Sequence, residues 1–194
     1  GCHYGSMLAR MLHYAPQGSH VAYEAVPSKL AFLRRKFPEV DVRARALGNA
    51  SGTVTFYIDL EQSGYSGMSE SGRGKSEAIE VEVVRLDDEA ASLPAAGYIK
   101  IDVEGAEHDV LDGARGYLGE HRPAILFECA PKGLERFGKT TADLHALMCG
   151  ELDYDIHTLA GWLNGEAPVD ATFMTEAHVF PFKAFNWLAL PRNP

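Results

Sequence analysis

The 194-residue chain is 46% hydrophobic and 23% charged, which is enough apolar matter for a folded core and too little charge for a disordered segment. Its net charge of −9, with no basic run interleaved with aromatics, argues against nucleic acid as a partner, because phosphate binding needs clustered Lys and Arg. No apolar run reaches the ~18 residues of a membrane span and no charged-then-apolar leader opens the chain, so the expectation is a cytoplasmic protein with no membrane span.

Gly1-Cys2-His3-Tyr4-Gly5-Ser6 leads into a helix whose Leu8, Met11 and Leu12 share one face. Two glycines four apart ahead of a helix permit a tight turn and bring backbone close to a ligand, with the helix N-terminus aimed at it. The chain opens directly on this loop, so an N-terminally incomplete domain that lacks its first strand is expected. His20–Glu24 reads as a short strand ending in an acid. Glu24 stands about 20 residues beyond the Gly loop, where a carboxylate can accept from both hydroxyls of a ribose. Pro27–Lys36 reads as a helix begun by Pro, with Leu30, Leu33 and Phe37 as its apolar stripe. Asp41–Leu47 reads as a third strand and Gly48–Gly52 as a turn cluster.

Thr53–Ile58 and Ile79–Val84 alternate and read as half-exposed antiparallel strands. Between them, Gln62–Lys75 is rich in Gly and Ser and long enough to be a substrate loop, with Tyr65 as a stacking candidate. Leu86–Glu89 begins a short helix, expected to be capped by an Asp. Tyr98–Glu107 is an apolar strand that stops at Asp102, Glu104 and Glu107 around Gly105 and turns into a helix. Helical spacing continues through His108, Leu111 and Ala114, which would put Glu104 and His108 on one face.

Arg122–Glu128 is another strand ending in an acid, Thr140–Cys149 a helix, Tyr154–Leu159 and Phe185–Leu190 strands. Pro168–Pro181 has no clear period; it and Trp162 are candidates for acceptor contacts. Cys2, Cys129 and Cys149 form no CxxC pair, so neither a zinc ribbon nor a disulfide framework is indicated, and Cys129 reads as a core residue. Strand and helix alternating with short connections give an α/β fold with a doubly wound, mostly parallel sheet, here a single domain over residues 1–194. In such a sheet the strand ends at Glu24, Asp102 and Glu128 share one edge, which is expected to be a crevice.

Gly1-xxx-Gly5, Tyr23-Glu24-Ala25-Val26-Pro27, Ala46-Leu47-Gly48, Lys100-Ile101-Asp102-Val103-Glu104-Gly105-Ala106-Glu107 with Val110-Leu111-x-Gly113-Ala114, and Phe185-Asn186-Trp187-Leu188-Ala189 occur in that order. Together they resemble the FkbM family of methyltransferases. The resemblance implies a class I S-adenosylmethionine-dependent fold, Rossmann-like, with a seven-stranded sheet whose last strand is antiparallel. It further implies that Gly1 and Gly5 line the methionine part of the cofactor, that Glu24 binds the ribose hydroxyls, that Ala46 and Leu47 sit near the adenine, and that Asp102 lies beneath the sulfonium. His3 and Ala25 join the implied cofactor-binding set. The implied reaction is O-methylation of a sugar or secondary metabolite, so the partner is a small-molecule or glycan acceptor. The family pattern places an Asp two residues before the first Gly, and this chain begins at that Gly.

An alcohol acceptor must lose its proton as the new bond forms. Asp102, Glu104, His108 and Glu128 are candidate bases, with Asp102 and Glu104 preferred because both follow the strand end directly. Glu104, Glu107 and His108 also have the chemistry of divalent-cation ligands, but no second cluster completes a shell and no metal is assigned. Two other classes remain. One is a nicotinamide-dependent oxidoreductase, weakened by a GxxxG rather than GxGxxG spacing. The other is a non-catalytic cofactor-binding homologue.

Overall fold

Leu8 anchors the first helix, α1 (Ser6–Tyr14), in a cluster with Ala22, Leu33, Phe37, Val40 and Val42. Those partners come from β1 (Val21–Tyr23), α2 (Pro27–Lys36) and β2 (Asp41–Arg43) and from the residues that link α2 to β2, so a β-α-β unit is held by one small apolar nucleus. β1 and β2 are parallel, with Ala22 opposite Val42, the pairing that a helical crossover allows. The computed structural model describes residues 1–70 and 74–192. It divides into two units, Gly1–Pro94 and Ala95–Pro194.

The first unit continues with β3 (Ala46–Leu47), β4 (Gly52–Asp59), β5 (Ser76–Val84) and α3 (Leu86–Glu89). β4 and β5 are antiparallel, as their alternation predicts, and β3 runs parallel to β5 on its other side. The single strand expected over Asp41–Leu47 is therefore two strands in two sheets. A bend at Ala44 separates them, and the Arg43 and Arg45 guanidinium groups that flank it both bond Glu89 of α3. That helix is not capped by an Asp: Arg85 is its N-cap, with no side-chain cap, and Asp87 and Asp88 lie in its first turn. The Gln62–Lys75 loop has structure of its own. Tyr57 and Gly67 exchange backbone hydrogen bonds, and Asp59 Oδ1 accepts from the N–H groups of Glu61 and Gln62 ahead of a 3₁₀ turn at Ser63–Tyr65. Residues 71–73 of that loop lie outside the described residues.

The second unit contains β6 (Tyr98–Ile101), α4 (Glu107–Asp112), α5 (Arg115–His121), β7 (Ala124–Glu128), α6 (Pro131–Glu135), α7 (Thr141–His145), β8 (Tyr154–Thr158), α8 (Leu159–Leu163), α9 (Ala171–Glu176) and β9 (Asn186–Pro191). A π-turn, Ala146–Glu151, extends α7, so the helix expected over Thr140–Cys149 changes pitch in its second half. The strand order is β6-β7-β9-β8; β6 and β7 are parallel and β9 is antiparallel to both its neighbours. Ile125, Phe127, Leu144, Met148, Tyr154, Ile156 and Trp187 fill the core around this sheet. Within the unpatterned Pro168–Pro181 stretch, Asp170 accepts from the N–H of Phe173 and starts α9, an N-cap that satisfies one of the free first-turn donors. In place of the one seven-stranded sheet implied by the family resemblance, the ladders among the described residues hold two, three and four strands. No helix among them is long and apolar enough to cross a membrane.

Gly5 carries a left-handed φ of 78°, and a Cβ there would stand 2.4 Å from the Phe37 ring and 2.9 Å from Leu33. Gly5→Ala is expected to lower unfolding free energy by about 1–3 kcal/mol. At Gly119, on a helix with open space where a Cβ would go, the same change should raise it by about 0.4–1 kcal/mol. Urea denaturation of the two variants measures both.

Candidate functional site

In the first unit, the Gly loop and Glu24 meet. The turn closes through Gly5 N–H donating to the Cys2 carbonyl at 2.9 Å, with His3 in a left-handed conformation at φ 49°. That conformation lets His3 N–H donate to Glu24 Oε2 at 3.0 Å, while Val26 N–H donates to Oε1 at 2.9 Å. Glu24 is 6% exposed, so a buried carboxylate holds the loop before α1 to the start of α2. A carboxylate has about four acceptor positions, and the two backbone donors leave each oxygen able to accept again. Ala25 is half-buried between these contacts, and Ala46 and Leu47 are half-buried in β3.

Beside Glu24, Tyr23 donates to Glu89 Oε2 at 2.8 Å and Arg43 Nη1 donates to the same oxygen at 2.6 Å, with Arg45 on the other oxygen. Against the upward push of burial, these hydrogen bonds hold the Glu89 carboxyl below its ordinary range. Burial, with the bond to Glu89, raises the Tyr23 phenol. Neither Tyr23 nor Glu89 stands out in the sequence as part of a site, because their pairing joins residues 66 positions apart.

The second unit builds its site on the turn that follows β6. Ile101 pairs with Phe127 in the parallel ladder, so Asp102 and Glu128, each the next residue, end adjacent strands side by side. Lys100 Nζ lies 3.4 Å from Asp102 Oδ2 and donates to the Ile101 carbonyl at 2.9 Å. Glu104 then takes a left-handed φ of 57°, a conformation costly for a residue with a side chain and concentrated at functional sites. Three contacts impose it. Glu107 Oε1 accepts from Val103 N–H at 3.1 Å and from Gly105 N–H at 3.2 Å, one on each side of Glu104. Arg136 Nη2 donates to the Glu104 carbonyl at 2.8 Å. Gly105 packs backbone to backbone on Gly133 of α6, where a Cβ would fall 2.3 Å from the Gly133 carbonyl oxygen.

Burial, then the charges of Asp102, Glu128 and Glu107, push the Glu104 carboxyl up to about 7. Burial and Asp102 also raise Glu128. Glu107, 2% exposed, is raised chiefly by burial, and its Oε2 has no hydrogen-bond partner. The arrangement is a set of carboxyl groups in which one is poised to exchange a proton near neutral pH.

Two expectations change. Glu104 is not on the helix, which begins at Glu107 behind an Ala106 N-cap, so Glu104 and His108 do not share a helix face. His108 is buried, with Asp109 Oδ1 3.6 Å from its Nδ1. Of the three strand-end acids, Asp102 and Glu128 are brought together by register, and Glu24 belongs to the first unit. The sequence missed the role of Glu107. An acid two residues after the turn Gly and four after Val103, able to reach back to free N–H groups as in a capping box, was the available signal. Cys129 is buried as expected, its thiol raised by that burial. Tyr65 is half-buried and Trp162 is exposed on α8. Among the described residues, no group of three His, Cys, Asp or Glu side chains is arranged to hold a metal ion.

The family described as Methyltransferase FkbM domain matches residues 1–156. No curated protein matches the chain. The crystal structure of Methyltransferase FkbM from Methylobacillus flagellatus KT is similar, with a TM-score of 0.56 at 17% identity over 98% of this chain and 41% of that one. The chain thus spans about two fifths of the length of that relative. The likeness extends to the α/β fold, which is that of a class I methyltransferase.

A raised Glu104 means that the folded state holds a proton, between about pH 4.5 and 7, that the unfolded chain releases. Stability from this group is present below that window and lost as pH rises through it. Glu104→Gln should therefore raise the melting temperature relative to the parent at pH 8 and leave it nearly unchanged at pH 4.5. Equal differences at the two pH values would remove the electrostatic account.

Proposed function

Because the chain belongs to the FkbM methyltransferase family, we propose that it is an S-adenosylmethionine-dependent methyltransferase acting on a hydroxyl of a sugar or secondary metabolite, with Glu104 as general base. The observation that carries this is the Glu104 carboxyl held at about 7 beside Asp102 and Glu128. Residues 1–194 are read as one methyltransferase domain, since the matched stretch 1–156 runs across the boundary at Pro94. Three free cysteines suit a reducing compartment, which supports a cytoplasmic location.

Glu24 fits the ribose of the cofactor. Its buried carboxylate has two backbone donors and no cationic partner among the described residues, which leaves acceptor capacity for a diol. Gly1 and Gly5 would line the methionine part of the cofactor, His3 and Ala25 would flank Glu24, and Ala46 and Leu47 offer half-buried apolar surface for the adenine. When bound, S-adenosylmethionine supplies an electrophilic methyl group on a cationic sulfur.

The rest falls to the chain's own side chains. Glu104 accepts the proton of the acceptor hydroxyl. A base with a pKa near the working pH combines a useful ionised fraction with real basicity, and such groups contribute ~10²–10⁴-fold. Asp102 and Glu128 keep Glu104 in that range and favour a cationic reactant nearby. The strained backbone at Glu104, fixed by Glu107, Arg136 and Gly105, limits its motion. Alignment of this kind removes part of the entropic barrier to displacement.

Calorimetry should detect binding of S-adenosylhomocysteine and not of NAD. Glu24→Gln should weaken it about tenfold, the loss of a hydrogen bond to a charged acceptor. Binding of NAD alone would point to the oxidoreductase, and binding of neither to a non-catalytic homologue. Turnover should rise with pH and level off above about 7, the value at which Glu104 loses its proton. Glu104→Gln should abolish that limb and lower kcat by ~10²–10⁴-fold, whereas Asp102→Asn should move the limb to lower pH by removing a like charge. A normal limb in Glu104→Gln would transfer the base role to Asp102.

A further inference from the structure

We propose that Glu89 is a positioning residue for the nucleoside of the cofactor. Its carboxylate sets the separation between the acid that would take the ribose and the strand that would lie against the adenine. This deepens the methyltransferase reading above and rests on it. β1 and β2 form one sheet, and β3 belongs to another with β5 and β4; among the described residues no strand ladder joins the two. Glu24 follows the first sheet, its N–H donating to the Arg43 carbonyl at 3.1 Å. Ala46 and Leu47 make up β3 in the second. Between them the backbone offers only the bend at Ala44, so side chains must fix how far apart they stand.

Glu89 bridges that gap with one oxygen on each side. Oε2 accepts from the Tyr23 hydroxyl at 2.8 Å and from Arg43 Nη1 at 2.6 Å. Tyr23 is the residue before Glu24, and Arg43 is the residue whose carbonyl holds the Glu24 N–H. Oε1 accepts from Arg45 Nη1, on the residue before Ala46. The Glu89 side chain is 10% exposed and that of Arg43 17%, so these charge-assisted bonds are little screened by water and salt. Each guanidinium has a second hold on its own side. Arg43 donates to Asp41 of β2 and to Ser92 Oγ, and Arg45 pairs with Glu82 of β5, the strand beside β3. Leu86 is buried and anchors α3 itself.

A ribose 2′-hydroxyl is read only if Glu24 reaches it while the base rests on β3. Reading the diol therefore depends on a separation, not on either contact alone. Glu89→Gln keeps the shape but replaces one oxygen with an amide nitrogen that donates. Whichever way the amide turns, its NH₂ meets either Arg45 or the Tyr23–Arg43 pair, donor against donor, and one side is released. Glu24 keeps its two backbone donors throughout, so its acceptor capacity survives and only its distance from β3 is freed.

Calorimetry with S-adenosylhomocysteine, adenosine and 2′-deoxyadenosine tests this on the parent chain, on Glu89→Gln and on Tyr23→Phe. The parent should prefer adenosine to 2′-deoxyadenosine by about tenfold, the worth of one hydrogen bond to a charged acceptor. In Glu89→Gln, S-adenosylhomocysteine should bind about tenfold more weakly and the preference for adenosine should fall to about threefold or less. Tyr23→Phe keeps the ring and both guanidinium contacts, and its preference should lie between the two. A merely structural loss would weaken both nucleosides by one factor and leave their ratio unchanged. The proposal is overturned if Glu89→Gln keeps the parent ratio or, should that variant not fold, if Tyr23→Phe keeps it. It is overturned too if the parent binds S-adenosylhomocysteine without preferring adenosine. S-adenosylhomocysteine binding to the parent judges the methyltransferase reading separately: binding with an unchanged ratio removes the proposal and keeps that reading, and no binding removes both.

Discussion

The carboxylate of Glu107 is the constraint on which the acidic site depends. It is buried, and its Oε1 holds the N–H groups of Val103 and Gly105. Those two donors belong to a turn between a strand and a helix, where backbone N–H groups would otherwise lack partners. Satisfying both with one oxygen forces the residue between them into a left-handed conformation, and that residue is Glu104. Gly105 must then pass close to Gly133, which only two residues without Cβ atoms allow. A single buried acid thus holds the backbone on both sides of Glu104.

The first unit uses the same device. Glu24 is a buried carboxylate whose two oxygens take N–H groups from His3 and Val26, on either side of its own strand end. Glu24 follows β1 and Glu107 opens α4, and among the described residues each binds backbone N–H groups rather than a cation, so its charge is not neutralised by an ion pair. Burying such a charge is costly unless hydrogen bonds compensate it, and here the backbone supplies them. The charge that survives leaves acceptor capacity at Glu24 and, at Glu107, acts on the neighbouring carboxyl groups. Around Glu107 it joins Asp102 and Glu128 in raising Glu104, so the support of the turn is also part of its electrostatics.

The segment that holds Phe180, Phe182 and Phe185 and the strand ends at Asp102 and Glu128 lie at one edge of one sheet because β9 reverses direction against β7. An antiparallel last strand delivers the segment before it to the carboxyl ends of the parallel strands. That places residues far apart in the chain, Asp102 and Phe185, on the same margin, one supplying charge and the other apolar surface.

Much of this was legible in the residues themselves. α2 is bounded as Pro27 and the stripe of Leu30, Leu33 and Phe37 predict, and β4 and β5 pair as their alternation requires, because period and proline chemistry act over a few residues. The acid at each strand end was readable too, as was the turn at Gly5. What depended on tertiary structure were events set by distant partners. Asp41–Leu47 broke into two strands because Arg43 and Arg45 reach Glu89. Glu104 left the helical face that its spacing assigned to it because Glu107, Arg136 and Gly133 fix the turn. Asp102 and Glu128 became neighbours, and Glu104 acquired its raised pKa, through strand register and burial. Local pattern fixes backbone preference, whereas charge coupling and desolvation depend on which groups packing brings within a few ångströms.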